Sequence, residues 1–265
     1  MPHLLCNAAR LYYSDTGSGK EIILFSHGLL FTHDMFLNQV NYFSKLGYRC
    51  IAYDHRGQGQ SELTTAGYDM DNLYEDAVSL IEQLNIAPVH FVGLSMGGFV
   101  GMRIAARKPY LLKSLSLLET SPDEESNKFK YRIMVLMVRL FGTWIVTNSL
   151  MKVMMAKSFL KDPQKKVLRE KIASGFASLP KSITRAVDGV INRKGLYDEI
   201  TNIQHPTLII VGEEDMAAVP AKAERIHQQI KNSRLVYIKK AGHSSTIEEP
   251  EQVNLHLQEF IKLIF

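Results

Sequence analysis

The chain has 265 residues, is 46% hydrophobic and carries a formal net charge of +4. That length and apolar content suffice for one large core, so two independent domains are not required. No helix-turn-helix signature or basic motif interleaved with aromatics points to nucleic acid, and none is expected as a partner. The two cysteines, Cys6 and Cys50, offer no CxxC metal spacing, and Cys50 lies inside an apolar run that reads as a strand, so it is expected as a buried thiol. The N-terminus lacks a basic region followed by a long apolar core, which predicts a cytoplasmic protein.

In chain order, a first strand or two around Arg10 to Ser14 is expected at an antiparallel edge. Ile22 to Phe25 and Arg49 to Tyr53 read as strands flanking a helix from about Asp34 to Leu46. From Asp71 to Leu84, Leu73, Ala77, Leu80, Ile81 and Leu84 share one helical face, and a strand near Val89 follows. That strand runs into Gly93-Leu94-Ser95-Met96-Gly97, with a helix-compatible stretch from Gly98 to Arg107 behind it. A serine flanked by glycines two positions away, between strand and helix, is the pattern of a nucleophile elbow. The tight turn forces its central residue into a strained backbone and leaves the serine exposed at the strand tip.

Strand Ser114 to Leu118 comes next, and after it the strand signals vanish until Pro206. Residues 121–195 therefore read as a helical insertion, with 1–120 and 196–265 forming the core domain. Ile133 to Met155 is strongly apolar, but Arg139 and Lys152 interrupt it and argue against a membrane span. Its methionines, Met134, Met137, Met151, Met154 and Met155, suit adaptable packing or a deformable acyl pocket, with packing preferred. Eleven lysines and arginines between 128 and 171 face only Asp162 and Glu170, leaving the remainder of the chain net acidic. Such a patch could steer an anionic substrate or rest on a membrane; the plainer reading, a solvated helical face without membrane contact, is preferred.

Pro206 to Gly212 reads as a buried strand with Glu213, Glu214 and Asp215 at its carboxyl end. Leu235 to Ile238 is another, leading to Ala241-Gly242-His243-Ser244, and Pro250 opens a last helix burying Val253, Leu257, Phe260 and Ile261. Alternating strands and helices imply an α/β fold, a mostly parallel sheet covered on both faces. In such a sheet the carboxyl ends share one edge, so Ser95, Asp215 and His243 can converge.

With those segments in place, the chain resembles the α/β-hydrolase-fold enzymes, in particular the capped esterases and lactonases. His27-Gly28-Leu29, Asp54-His55-Arg56-Gly57-Gln58-Gly59-Gln60-Ser61, the Ser95 elbow, and Asp215 to Pro220 with Gly242-His243 carry the match. The resemblance implies a catalytic Ser95, Asp215 and His243, in the family's chain order. It also implies an oxyanion hole from the backbone N–H groups of Leu29 and Met96. Asp54, Arg56 and Ser61 are expected as architecture, His27 as a shaper of the oxyanion loop, and His33, His90, His205, His227 and His256 as packing or surface histidines. Glu213 and Glu214 compete for the acidic role, and the spacing from Asp215 to Pro220 favours Asp215.

The expected activity is hydrolysis of a small carboxylic ester or lactone through an acyl-enzyme, with no metal and no organic cofactor. A serine nucleophile disfavours halide and epoxide chemistry. A ligand receptor on a hydrolase shell, a carbon–carbon hydrolase, a perhydrolase and a hydroxynitrile-lyase-like enzyme stay open as alternatives, because substrate choice lies in the pocket.

Overall fold

The computed structural model of the protein describes residues 2–264. A hairpin of β1 (His3–Cys6) and β2 (Ala9–Asp15) opens the chain, and β2 pairs antiparallel with β4 (Arg49–Tyr53). From β3 (Ile22–Ser26) and β4 onward through β5 (Val89–Leu94), β6 (Leu112–Leu118), β7 (Thr207–Gly212) and β8 (Ser233–Ile238), all pairings are parallel. The sheet order is β1-β2-β4-β3-β5-β6-β7-β8. This is the expected α/β architecture with an antiparallel edge.

Side chains two apart share a face of a strand, and here both faces are apolar. Leu24, Ile51, Phe91 and Leu115 meet α2 (Met70–Gln83) and α3 (Met96–Arg107) on one side. Ile23, Phe25, Cys50 and Val92 meet α1 (Leu37–Lys45) and the C-terminal helix (Pro250–Lys262) on the other. The predicted helix from Asp34 begins as a single 3-10 turn, His33–Phe36, and α3 starts two residues earlier than expected, directly at the elbow. Both cysteines are free and buried.

The chain leaves β3 in one direction to form β4 and returns on the other side to form β5. At such a switch point the loops after the two strands diverge and leave a crevice at their carboxyl ends. The turns beginning at His27 and Ser95 occupy that place.

Between β6 and β7 the described residues contain helices and no strand: α4 (Lys128–Phe141), α5 (Thr147–Met154), α6 (Lys157–Lys161), α7 (Lys166–Ala177), α8 (Thr184–Ile191) and α9 (Tyr197–Ile200). Gly142, at φ +97°, ends α4 and divides the apolar run that begins at Ile133. Met151, Met154, Met155, Phe159 and Phe176 form a core of their own among α5, α6 and α7. No helix among the described residues is long and apolar enough to cross a membrane. After β7 the chain adds α10 (Pro220–Gln229), and after β8 a short α11 (Ser245–Glu248) precedes α12 (Pro250–Lys262).

Candidate active site

Ser95 sits between β5 and α3 at φ 50°, ψ −107°, a conformation that L residues seldom adopt. Its backbone is held from both sides: its N–H donates to Leu118 O at 2.8 Å, and the Thr120 hydroxyl donates to Ser95 O at 2.8 Å. The flanking glycines are there for close approach. A Cβ on Gly93 would stand 2.4 Å from Gly97 O, and one on Gly97 would stand 2.0 Å from Ser26 O.

The three predicted side chains come together. His243 Nε2 lies 2.9 Å from Ser95 Oγ, and His243 Nδ1 lies 2.9 Å from Asp215 Oδ2. An ionised carboxylate only accepts, so Nδ1 carries the proton and Nε2 is left to accept from the Ser95 hydroxyl. Asp215 Oδ1 also accepts from the N–H groups of Ala217 and Ala218, at 2.8 and 2.9 Å, which fixes the carboxylate after β7. Asp215 and His243 are 3% and 4% exposed, so little water competes for these bonds. Glu214 instead accepts from Ser158 N at 2.9 Å, a contact with the helical segment.

The loop after β3 packs against the elbow, since a Cβ on Gly28 would meet Ser95 Cβ at 3.5 Å. His27 Nδ1 donates to Gly28 O at 2.7 Å and its Nε2 accepts from His55 N at 3.0 Å. Burial holds His27 below the usual histidine range, which suits this neutral, doubly bonded ring. Leu30 N donates to Gln58 Oε1 at 3.0 Å. These bonds fix the loop that carries the Leu29 N–H, while Met96 opens α3 and brings one of that helix's free first-turn donors.

Asp54, Arg56 and Ser61 act as architecture. Asp54 accepts from His33 N at 2.7 Å and Gln60 N at 2.8 Å, and the Ser61 hydroxyl donates to Asp54 O at 2.6 Å. Arg56 and Asp76 form a buried ion pair, with Nε to Oδ2 at 2.7 Å. His33, expected as a packing or surface histidine, places its Nδ1 2.9 Å from Asp54 Oδ1, and this bond raises it above the usual histidine range. His90, His205, His227 and His256 lie outside the cavity lining. Among the described residues no group of three or more metal-ligating side chains gathers.

Two buried carboxyls near the triad were not anticipated. Glu119 follows β6 directly and lines the cavity; burial, reinforced by the Asp215 charge, raises its carboxyl well above the usual carboxylate range. Glu248 is pushed up to about 7 by burial, against the pull of three backbone donors. Those donors are Ala156 N at 2.7 Å, Gly242 N at 3.0 Å and Ser244 N at 3.2 Å. Glu248 thus ties the loop bearing His243 to the segment between α5 and α6. The position of Glu119, next after a strand whose end shares the edge with Ser95, was the available signal.

Ser95 and His243 open into a cavity of about 180 Å³. Its walls are mainly apolar, with Leu29 and Phe99 from the core and Met134, Val135, Val138 and Met154 from the helical segment. Of the five methionines, Met134 and Met154 therefore reach the cavity, while Met151 and Met155 pack between helices. Arg193 and Lys222 are its cations; Arg193 lies 3.4 Å from Glu125 and stacks over Phe99 at 4.7 Å.

Comparison with known proteins identifies the fold family. Residues 21–250 match the family model described as the alpha/beta hydrolase fold. The AB hydrolase superfamily protein YisY of Bacillus subtilis is 29% identical, with 94% of each chain covered. The 3-oxoadipate enol-lactonase 2 of Acinetobacter baylyi is 25% identical, covering 95% of this chain and 93% of its own. A thermophilic esterase from Thermogutta terrifontis superposes with a TM-score of 0.91 at 26% identity, covering 99% of this chain and 98% of its own. With its elbow, its strand order and that family match, the chain belongs to the α/β-hydrolase fold family.

Proposed function

We propose that the protein hydrolyses a small carboxylic ester or lactone through an acyl-enzyme on Ser95. The observation that carries this reading is the unbroken chain Asp215, His243, Ser95, with both bonds at 2.9 Å, opening onto an apolar cavity. His243 Nε2 takes the proton as Ser95 Oγ attacks the carbonyl carbon, and Asp215 stabilises the imidazolium that forms. The N–H groups of Leu29 and Met96 receive the negative charge on the former carbonyl oxygen. One such donor is commonly worth about 2.7–4 kcal/mol of barrier. His243 returns the proton to the leaving alkoxide, then activates water to release the acid and restore Ser95.

Residues 121–195 act here as a cap over the core formed by 1–120 and 196–265, which supports Met134, Val135 and Val138 as the acyl-binding wall. At about 10–15 Å³ for the sphere of one water molecule, 180 Å³ admits on the order of ten non-hydrogen atoms. An uncharged, apolar acyl group of that size fits the lining; an anionic group on the substrate would have Lys222 as its partner. The names of relatives, an enol-lactonase and an esterase, accord with this class.

Mass spectrometry after rapid quenching of a p-nitrophenyl ester reaction tests the covalent step. The peptide containing Ser95 should gain the acyl mass; turnover with no adduct at any quench time would argue for Ser95 acting as a base or bystander.

A further inference from the structure

Helix α4 is apolar on two opposite faces. Tyr131, Met134, Val135 and Val138 line the cavity. Phe129, Ile133, Leu136 and Leu140, at i, i+4, i+7 and i+11, form a second stripe that points to solvent. Phe129 is 79% exposed, Leu136 56% and Leu140 59%, and the stripe continues past the helix end into Trp144, 64% exposed. Isolated exposed apolar residues are ordinary, but a contiguous row on one helix marks a surface that meets another apolar phase.

Charge names that phase. Lys130 flanks the stripe on one side and Arg132 on the other, both exposed. Arg132 is bonded to the neutral Asn192 at 3.2 Å, and Lys130 has no ion pair among the described residues. The surrounding segment, residues 128–171, carries eleven cationic side chains, four of them paired with carboxylates: Lys128 with Glu124, Arg139 with Asp188, Lys165 with Glu249 and Lys166 with Glu170. A second copy docked face to face would bring these like charges together, whereas an anionic lipid surface would be attracted by them and would accept the apolar row. Trp144 suits the boundary, its ring exposed and its indole N–H donating to Phe141 O at 2.8 Å.

We propose that the outer face of α4, from Phe129 to Trp144, is a docking surface for an anionic lipid bilayer. This goes beyond the hydrolase reading and does not depend on it. It departs from the preference for a solvated face without membrane contact that the sequence suggested, and rests on the solvent-facing apolar row that is visible once α4 is seen docked by its other side.

The test is sedimentation of the 265-residue chain with phosphatidylcholine vesicles and with vesicles of phosphatidylcholine and phosphatidylglycerol in equal parts. Partitioning is expected to the mixed vesicles, to weaken with added salt, and to be unchanged in Ser95→Ala. Leu136→Ser with Trp144→Ser should lower it by about tenfold or more. Lys130→Glu with Arg132→Glu should lower it by at least about twentyfold, from roughly fivefold per lost cation. All these positions face away from the cavity, so circular dichroism melting curves close to the parent's are expected and serve as the fold control. Absence of binding, equal binding to neutral vesicles, or binding indifferent to the variants would overturn the proposal. So would a dimer in sedimentation velocity that the serine variants dissolve, which would assign the surface to a second copy.

Discussion

Replacing Val138 with phenylalanine tests whether the cavity beneath α4 receives an acyl chain. Val138 is 7% exposed and lines the cavity, so a larger ring there fills empty space instead of displacing packed neighbours. The substitution adds about four carbon atoms, a large share of a cavity that admits on the order of ten. Each methylene moved from water into such a site contributes about 0.8 kcal/mol, or roughly fourfold in kcat/KM. The parent should therefore gain about fourfold per methylene along a p-nitrophenyl ester series until the cavity is full. In Val138→Phe the optimum should fall about four carbons earlier, and the longest substrates should lose about 3 kcal/mol, roughly 200-fold. Met134→Ala should shift the optimum the other way. A folded Val138→Phe protein with the parent's chain-length profile would refute the assignment of this cavity to the acyl group.

Asp215→Asn should keep the fold but leave His243 in the wrong tautomer, lowering kcat by about 10⁴ with little change in KM; steady-state kinetics with a soluble ester will tell. For Glu248, the folded state keeps its proton up to about pH 7, while the unfolded chain releases it near the ordinary carboxylate value of 4.5. Stability from this group is then fully present below that ordinary value and lost as pH rises through 7, on the order of 3 kcal/mol. Urea midpoints should fall over that window more steeply in the parent than in Glu248→Gln, and parallel curves would contradict the burial argument. Asp76→Ala strands the buried Arg56 guanidinium and should cost about 3–5 kcal/mol in chemical denaturation. Activity per folded molecule should survive that change, since neither Arg56 nor Asp76 lines the cavity.

The parts legible in the sequence were those whose cause is local. Buried parallel strands such as Thr207–Gly212 are uninterrupted apolar runs between breakers, and the elbow needs its glycines within two residues of Ser95. The edge strand His3–Cys6 was harder to see, being four residues long and partly exposed. Glu119, Glu248 and the bond between His33 and Asp54 depend on loops distant in sequence arriving at one edge of the sheet, which no periodicity encodes. In α4 the difficulty was different: both faces are apolar, so Ile133 to Met155 read as one apolar run in a helical segment, without the break at Gly142 or the face that looks inward.

The most direct measurement is hydrolysis of p-nitrophenyl esters and of a lactone panel by the parent and by Ser95→Ala. Turnover by the parent that vanishes in a folded Ser95→Ala protein is the predicted result. Turnover that persists without the Ser95 hydroxyl, or a parent that turns over neither panel, would contradict the hydrolase assignment.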